Sequence, residues 1–282
     1  MTFFIAEVSS NHSSDLERCK DFIDAASEVG CDAVKFQLFK VNQLFSKEVL
    51  ENSKAHRDRE QWELPEDYIP FLYEHCKERN IQFSCTPFYL EAVDLLEKYV
   101  DFFKIASYEL LWDSLIERCS KTTKPLIIST GMANISEILH AKDVVDRNNC
   151  EDLTFLHCNS AYPTPYKDAN LSAIQTIREE TGCKTGWSDH TVCPSIIHRA
   201  IHKWNASTIE FHLDLDKKGD EYSAGHCWLP NEIEKVIKEV REGIAGDGHG
   251  KKESSASEIA DRDWRADPSD GLRPLKKIRK TL

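Results

Sequence analysis

Short apolar runs alternate with amphipathic segments along nearly the whole chain. The runs are almost continuously hydrophobic, which is typical of parallel strands buried on both faces, and the segments between them repeat apolar residues at helical spacing, as in DLERCKDFIDAASEVG. The predicted strands cover residues 3–8, 33–39, 81–86, 101–107, 125–130, 153–158, 185–189 and 207–213. This pattern predicts an α/β protein with the closed (β/α)8 fold, the TIM barrel. An open doubly wound sheet is the alternative, but its glycine-rich phosphate-binding turn does not follow the first strand.

The chain divides into a barrel and a tail. We expect one catalytic barrel over residues 1–245, since barrels of about 250 residues are common. Helical periodicity is lost after the last helix, so residues 246–282 are predicted to be a linker and tail without a separate folded domain. A charged insertion after the second strand, residues 40–66, is interpreted either as a lid over the active site or as a solvated loop.

The charge and composition of the chain argue against several classes of protein. The net charge of −12 argues against nucleic acid as the main partner. No apolar run approaches the roughly 18 residues that span a bilayer, and the N-terminus lacks the basic segment of a signal peptide. The ten cysteines form no CxxC pair or Cys/His ladder and are expected to be reduced core thiols. We therefore expect a cytoplasmic protein without membrane contacts.

Polar side chains stand near the C-terminal end of almost every predicted strand, at the rim where the active sites of barrel enzymes lie. Two of them, Lys35 and Lys104, are lysines inside otherwise apolar strands. A buried lysine is costly without an anionic partner, and lysines beside serine and threonine hydroxyls suit a phosphate group. The rim therefore predicts an anion site, with internal lysine–carboxylate pairs as the alternative.

Two histidines end neighbouring strands of the predicted barrel. His190 follows strand seven and His212 lies near the end of strand eight, beside Asp189 and Glu210. Two imidazoles with open positions suit Mn, Fe, Co or Zn, so the pair predicts a divalent metal site. His226, just past strand eight in GHCWLP, is a third candidate ligand.

A lysine on a barrel strand can also form a Schiff base with a carbonyl substrate. Lys104 is the candidate for that chemistry. This hypothesis gives no role to the histidine pair or to the second lysine.

The motifs IAEVSSNH, DAVKFQLF, SCTPF, KIAS, ISTGM, LHCNSAYPTP, GWSDHT and IEFH occur in that order over roughly residues 3–245. In this order they resemble the N-acetylneuraminate (sialic acid) synthase family. The resemblance implies a metal-dependent transferase that condenses phosphoenolpyruvate with an N-acetylated aldose, N-acetylmannosamine or a related di-acetamido sugar, to a nonulosonic acid and phosphate. Mn²⁺ is the favoured metal, with Mg²⁺ or Co²⁺ as alternatives.

The resemblance also implies roles for individual residues. Glu7 matches the acid/base carboxylate, and His190 and His212 match the two metal ligands, so Glu7, Lys35 and His190 form the expected catalytic set. The positions expected to hold phosphoenolpyruvate are Lys35, Gln37, Thr86, Lys104, Ser107, Ser129, Ser160 and Ser188. Ser160 occupies the position where the family often has an asparagine, and Asn159 comes directly before it. If Asn159 makes the contact of the family's asparagine, that contact has shifted by one residue. Tyr162 matches a sugar contact.

The chain departs from the family pattern on the sugar side. The segment after the second histidine reads KKGDEYSAGHCWLP, and Asp220 is the residue we match to a sugar-contacting aspartate there. The family's C-terminal antifreeze-like domain, which crosses to the partner subunit and supplies an arginine, has no counterpart in this sequence. We therefore expect the tail, through Arg265 or Arg273, to cover the sugar site, and we leave a homodimer open.

Four functions are compatible with the sequence. The first is the nonulosonic acid synthase. The second is a synthase that makes another 3-deoxy-2-keto sugar acid from a different aldose. The third is a Schiff-base lyase acting through Lys104, and the fourth is a barrel that binds phosphosugars or partners without turnover.

Overall fold

The computed structural model describes residues 2–281 and contains the predicted barrel. Eight strands run parallel in sequence order, and β1 pairs with β8, which closes the sheet on itself. The strands are β1 Phe3–Glu7, β2 Ala33–Leu38, β3 Gln82–Pro87, β4 Phe102–Ile105, β5 Leu126–Ser129, β6 Leu153–His157, β7 Lys184–Asp189 and β8 Thr208–Leu213. The α/β barrel prediction is confirmed, and the open-sheet alternative is wrong because β1 and β8 are hydrogen-bonded neighbours.

Helices follow the strands around the barrel. They are α1 Leu16–Glu28, α2 Val41–Leu44, α3 Lys47–Asn52, α4 Lys54–Arg57, α5 Ile69–Arg79, α6 Leu90–Leu96, α7 Asp113–Ser120, α8 Ile135–Asp146, α9 Ala173–Thr181, α10 Pro194–His202, α11 Pro230–Gly246 and α12 Lys276–Arg279. The insertion after β2 consists of the short helices α2 to α4 and a 3-10 turn at Asp58–Trp62.

Local sequence signals explain where several helices begin. The Asp15 side chain accepts hydrogen bonds from the backbone N–H groups of Glu17 and Arg18 at the start of α1. Asn134 and Glu137 form a reciprocal capping box at the start of α8. Pro194 is the first residue of α10, where its missing N–H costs nothing.

A buried apolar layer crosses the interior of the barrel and positions the rim. Ile5, Ala33, Phe102, Ile127 and Leu156, from five strands, pack together in this layer. Because side chains alternate along a strand, the residue two positions later points to the same interior. Those residues include Glu7, Lys35, Lys104 and Ser129. The apolar core layer therefore supports a polar layer at the C-terminal ends of the strands.

A two-residue strand, β9 at Cys227–Trp228, was not predicted. It pairs in parallel with the end of β8, with His212 opposite Cys227 and Leu213 opposite Trp228. All ten cysteines are free thiols and most are buried, as predicted.

The chain separates into two compact units, Met1–Glu242 and Gly243–Leu282. The second unit contains a 3-10 segment at Ala256–Trp264 and the short helix α12, and it has an internal ion pair between Arg279 Nη1 and Asp270 Oδ2 at 2.7 Å. Within residues 2–281, no helix combines the length and the apolar character that a bilayer crossing requires.

Candidate functional site

Four charged side chains meet at the C-terminal end of the barrel. Lys35 forms an ion pair with Glu7 and lies 3.7 Å from Glu210 (Nζ to Oε2). Lys104 Nζ lies 3.8 Å from Glu210 Oε1. All four side chains are buried, with Glu7 only 1% exposed. The strand register explains the cluster, because Glu7 of β1 lies opposite Lys35 of β2.

Burial and the neighbouring charges act in opposite directions on Lys35 and Glu210. Burial lowers the pKa of Lys35 to about 8, because Glu210 only partly offsets the loss of solvent. Burial alone disfavours the charged form of Glu210, but Lys104 and Lys35 together outweigh it and lower the pKa of Glu210 to about 2. The internal lysine–carboxylate pairs that the sequence left as an alternative are therefore present.

The lysines retain hydrogen-bonding capacity beyond these pairs. The Lys104 ammonium donates one hydrogen bond, to the Ile105 carbonyl at 2.9 Å, although an ammonium has three donors. Lys35 donates to Thr86 Oγ1 at 3.2 Å. Two nearby buried hydroxyls, Ser129 Oγ and Ser160 Oγ, have no hydrogen-bond partner among residues 2–281. Unfilled cationic and hydroxyl donors side by side are what an anion site requires.

Gly131 brings backbone close to these hydroxyls. A Cβ built on Gly131 would lie 2.2 Å from Ser160 Oγ and 2.9 Å from Ser107 Oγ. The Gly131 N–H donates to Ser107 Oγ at 3.0 Å. A side chain at position 131 would therefore displace two of the predicted phosphoenolpyruvate contacts.

The first loop positions the predicted acid/base group. Glu7 Oε1 accepts hydrogen bonds from Ser9 N and from Gln37 Nε2, both at 2.9 Å. Gln37 Nε2 also lies 3.2 Å from Ser9 Oγ.

Ser188, which is predicted to contact phosphoenolpyruvate, donates a hydrogen bond to Glu210 Oε1 at 2.9 Å.

His190 and His212 lie side by side, with ring centroids 5.3 Å apart. His190 Nδ1 donates to the Asn159 carbonyl at 2.7 Å, and His212 Nδ1 donates to Glu221 Oε2 at 2.9 Å. In each ring the Nε2 lone pair is left for another ligand. Burial, and then the neighbouring His212, lowers the pKa of His190 to about 3, so this ring is neutral as metal ligation requires. The donor set fits a divalent metal ion.

Tyr162 lies against the histidines. Its ring centroid is 4.3 Å from that of His190 and 5.9 Å from that of His212. Tyr162 is 41% exposed, so part of it is accessible to a substrate.

The side chains of Asp220 and Asn159 are used in hydrogen bonds within the protein. Asp220 is exposed and accepts a hydrogen bond from Trp62 Nε1 of the insertion at 2.8 Å. The Asn159 amide is used within its own loop, since its Oδ1 accepts from Ala161 N at 2.8 Å. Arg265 and Arg273 belong to the unit Gly243–Leu282, and their predicted role stays a prediction.

Asp189 connects three residues around the site through hydrogen bonds. Its carboxylate accepts from the indole N–H groups of Trp187 at 2.9 Å and Trp228 at 3.0 Å, and from Thr191 Oγ1 at 2.7 Å. These bonds leave Asp189 a structural role beside His190.

Three residues near the site were predicted incompletely: the sequence analysis names Glu210 beside the histidine pair and His226 as a third candidate ligand, and it gives Glu221 no role. Glu210 faces both Lys35 and Lys104. Side-chain alternation along β8 predicts these contacts only once the pairing of β8 with its neighbouring strands is known. Glu221 and His226 come close to His212 because β9 pairs with the end of β8. A two-residue strand has no hydrophobic periodicity, so the pattern predicts no position for Glu221 and places His226 only just past strand eight, near the rim.

The closed barrel and the polar rim define a (β/α)8-barrel enzyme. The profile of the NeuB family matches residues 22–252. The chain belongs to the NeuB family, and the resemblance stated from its motifs is confirmed.

Named relatives agree with this assignment. The N,N'-diacetyllegionaminic acid synthase of Campylobacter jejuni is 34% identical over 272 residues, which cover 91% of this chain and 80% of the relative. The pseudaminic acid synthase of Helicobacter pylori is 31% identical over 254 residues, which cover 85% and 74%. The crystal structure of the N-acetylneuraminic acid synthetase of Leptospira borgpetersenii in complex with citrate superposes with a TM-score of 0.82 at 31% identity, covering 92% of this chain and 90% of that one.

Proposed function

We propose that this enzyme condenses phosphoenolpyruvate with an N-acetylated aldose, N-acetylmannosamine or a related di-acetamido sugar, to a nonulosonic acid and phosphate. The relatives named as synthases of three such acids support the reaction type. The observation that carries the proposal is the buried pair Lys35 and Lys104 beside the unpartnered hydroxyls of Ser129 and Ser160. This group offers cationic and neutral donors to the phosphate and carboxylate of phosphoenolpyruvate.

The reaction forms one carbon–carbon bond and, from water, one carbon–oxygen bond, and it breaks the carbon–oxygen bond to phosphate. Of the two protons of that water, one goes to the former aldehyde oxygen, which becomes a hydroxyl, and the other leaves with the phosphate. The methylene carbon of phosphoenolpyruvate attacks the aldehyde carbon of the open-chain sugar. Water then adds to the phosphate-bearing carbon, and the resulting tetrahedral centre expels inorganic phosphate. Binding both reactants at one rim supplies the orientation that a reaction between two molecules lacks in water.

The chain's own groups have assigned parts in these steps. Glu7, held by Ser9 N and Gln37 Nε2, takes a proton from the adding water. Lys35 and Lys104 balance the negative charge of the substrate and of the leaving phosphate. The exposed part of Tyr162 contacts the sugar. His190 and His212 would hold a divalent ion, Mn²⁺ by preference, which would supply Lewis-acid polarisation of the sugar aldehyde.

Phosphate release tests the proposal. The enzyme with Mn²⁺, phosphoenolpyruvate and a panel of acetamido sugars is expected to release phosphate only when a sugar is present. Chelation with EDTA is expected to lower the rate at least about tenfold, and added Mn²⁺ to restore it. The panel includes arabinose 5-phosphate and sugars without acetyl groups.

The outcomes separate the candidate functions. Release with arabinose 5-phosphate alone would indicate another 3-deoxy-2-keto acid synthase. Full activity in EDTA, with borohydride trapping of pyruvate on Lys104, would indicate the Schiff-base lyase instead. Substrate affinity without turnover on any sugar would contradict a synthase.

The Gly131 contacts predict a selective effect on phosphoenolpyruvate. Gly131→Ala is expected to raise the KM for phosphoenolpyruvate about tenfold, because the new methyl group displaces Ser160 Oγ and Ser107 Oγ. Steady-state kinetics with each substrate varied in turn measures this. Gly246→Ala is the control, since a Cβ there meets no heavy atom within 4 Å. An equal rise in the KM for the sugar would argue for general distortion of the rim.

A further inference from the structure

A third imidazole lies beside the two predicted metal ligands. His226 is 4% exposed, and its ring centroid is 4.7 Å from that of His212 and 6.4 Å from that of His190. We propose that His226 is a third protein ligand of the metal and that Glu221 is the carboxylate that positions the rings. This inference rests on the proposed function only in assuming that the histidines hold a metal.

Hydrogen bonding leaves each of the three rings with one nitrogen for a metal. His190 and His212 use Nδ1 for protein contacts, which leaves Nε2. His226 has the opposite arrangement: its Nε2 lies 3.5 Å from Glu221 Oε2, whereas its Nδ1 is buried with no hydrogen-bond partner among residues 2–281. A buried nitrogen without a partner costs free energy, and a metal ion would remove that cost.

The spacing of the rings also suits one shared ion. With metal–nitrogen bonds of about 2.1 Å, the ring centroids of imidazoles on one ion lie roughly 4.5–6.5 Å apart. The three centroid distances among His190, His212 and His226 are 5.3, 6.4 and 4.7 Å. Ligand atoms of His212, Glu221, His226 and Cys227 all lie within 4.8 Å of one another; this group contains His226 but not His190, whose ring lies next to that of His212.

Glu221 is tied to the protein on both oxygens. Its Oε1 accepts from Ser9 Oγ at 2.5 Å and Ser10 Oγ at 3.1 Å, and its Oε2 accepts from His212 Nδ1. Its backbone N–H donates to Asn11 Oδ1 at 2.9 Å. A carboxylate that receives the second nitrogen of a ligating histidine fixes that ring and strengthens it as a ligand. Glu221 is therefore a positioning residue.

The loop Ser9–Asn11 positions Glu221, a role that the sequence of the loop does not predict. Asn11 Nδ2 donates to the Leu213 carbonyl at 2.9 Å, so the residue holds the start of the loop after β8 as well as Glu221 itself. The side chains of Ser9, Ser10 and Asn11 thus fasten Glu221 beside His212. The third ligand follows from the pairing of β9 with β8, which places His226 one residue before the partner of His212.

Metal binding without substrates tests the inference. Metal-free protein is titrated with Co²⁺, and the wild type is compared with His226→Ala, Glu221→Gln and the control His140→Ala. His140 is half exposed and pairs with Asp113 on the helical surface. We expect His226→Ala to weaken Co²⁺ binding roughly 10–100-fold with a changed visible spectrum, and Glu221→Gln to weaken it about tenfold with the wild-type number of nitrogen ligands.

X-ray absorption of the Co²⁺ protein counts the imidazoles directly. Three imidazoles in the wild type and two in His226→Ala support the inference. Two imidazoles in the wild type, or Co²⁺ affinity of His226→Ala within about twofold of wild type, overturns it. If His226→Ala fails to fold, the number of imidazoles on Co²⁺ in the wild type and the Co²⁺ affinity of His226→Gln test the inference instead. Phosphate release is not part of this measurement, so a metal bound by three histidines in a protein that releases no phosphate refutes the proposed function alone.

Discussion

Replacement of Lys35 by methionine is expected to lower kcat/KM for phosphoenolpyruvate by about 10²–10³-fold or more. The same change is expected to lower the free energy of unfolding by about 3–5 kcal/mol. The side chain lies between Glu7 and Glu210 with only 3% of the residue exposed. Methionine fills the space but leaves two buried carboxylates with a single cation, Lys104, to balance them. Steady-state kinetics and denaturant unfolding measure the two effects.

A second substitution separates the two effects of Lys35→Met. In Lys35→Met/Glu7→Gln, Glu210 and Lys104 remain as a pair 3.8 Å apart, so the charge is balanced and most of the lost stability is expected to return. Activity is not expected to return, because the phosphate contact is still missing. Lys184→Met serves as the control, since Lys184 forms an exposed pair with Asp152 at the start of β7 and should cost at most about 1 kcal/mol. Activity of Lys35→Met within about tenfold of wild type would remove Lys35 from the substrate site.

Most of the barrel could be predicted because its two repeating patterns are local. Alternating strand and helix periodicity located all eight barrel strands to within about two residues. The largest deviation is at β4, where residues 101–107 were predicted and the strand is Phe102–Ile105. Ser107 begins a 3-10 turn instead. Since Ser107 receives the Gly131 N–H, a contact 24 residues away in sequence competes with the strand there.

The polar layer of the rim was predictable for the same reason. Once one apolar layer is known, the residue two positions later on each strand must point to the same interior. That rule places Lys35 and Lys104 together from the sequence alone. The rule also brings Glu7 of β1 beside Lys35 of β2, but it does not place Glu210 there, because β8 becomes a neighbour of β1 only when the barrel closes.

The loops could not be predicted because their contacts are non-local and irregular. Asp220 and Glu221 are neighbours in sequence, yet one contacts Trp62 of the insertion and the other contacts His212. No periodicity distinguishes two adjacent acidic residues in a loop. Asn11 fixes which of them faces the site, because its Nδ2 donates to the Leu213 carbonyl and its Oδ1 accepts from the Glu221 N–H.

Replacement of Glu7 by glutamine is expected to lower kcat about 10²–10⁴-fold while changing the KM for phosphoenolpyruvate by less than about fivefold. Glutamine has nearly the same shape and can still accept a hydrogen bond from Ser9 N. It cannot take up a proton from water, and its NH₂ group faces the ammonium of Lys35 where the carboxylate Oε2 stood. Steady-state kinetics with both substrates varied gives the split between kcat and KM.

A matched carboxylate distinguishes proton transfer from charge balance. Glu210 is also buried and also faces Lys35, so Glu210→Gln removes a similar charge from the same lysine. If Glu7 moves a proton, Glu7→Gln lowers kcat far more than Glu210→Gln does, and added formate restores part of the activity of Glu7→Ala by occupying the vacated carboxylate position. If Glu7 only balances Lys35, the two glutamine variants lose similar activity and formate has no effect. The comparison therefore assigns Glu7 by its chemistry, since both side chains are buried and both face Lys35.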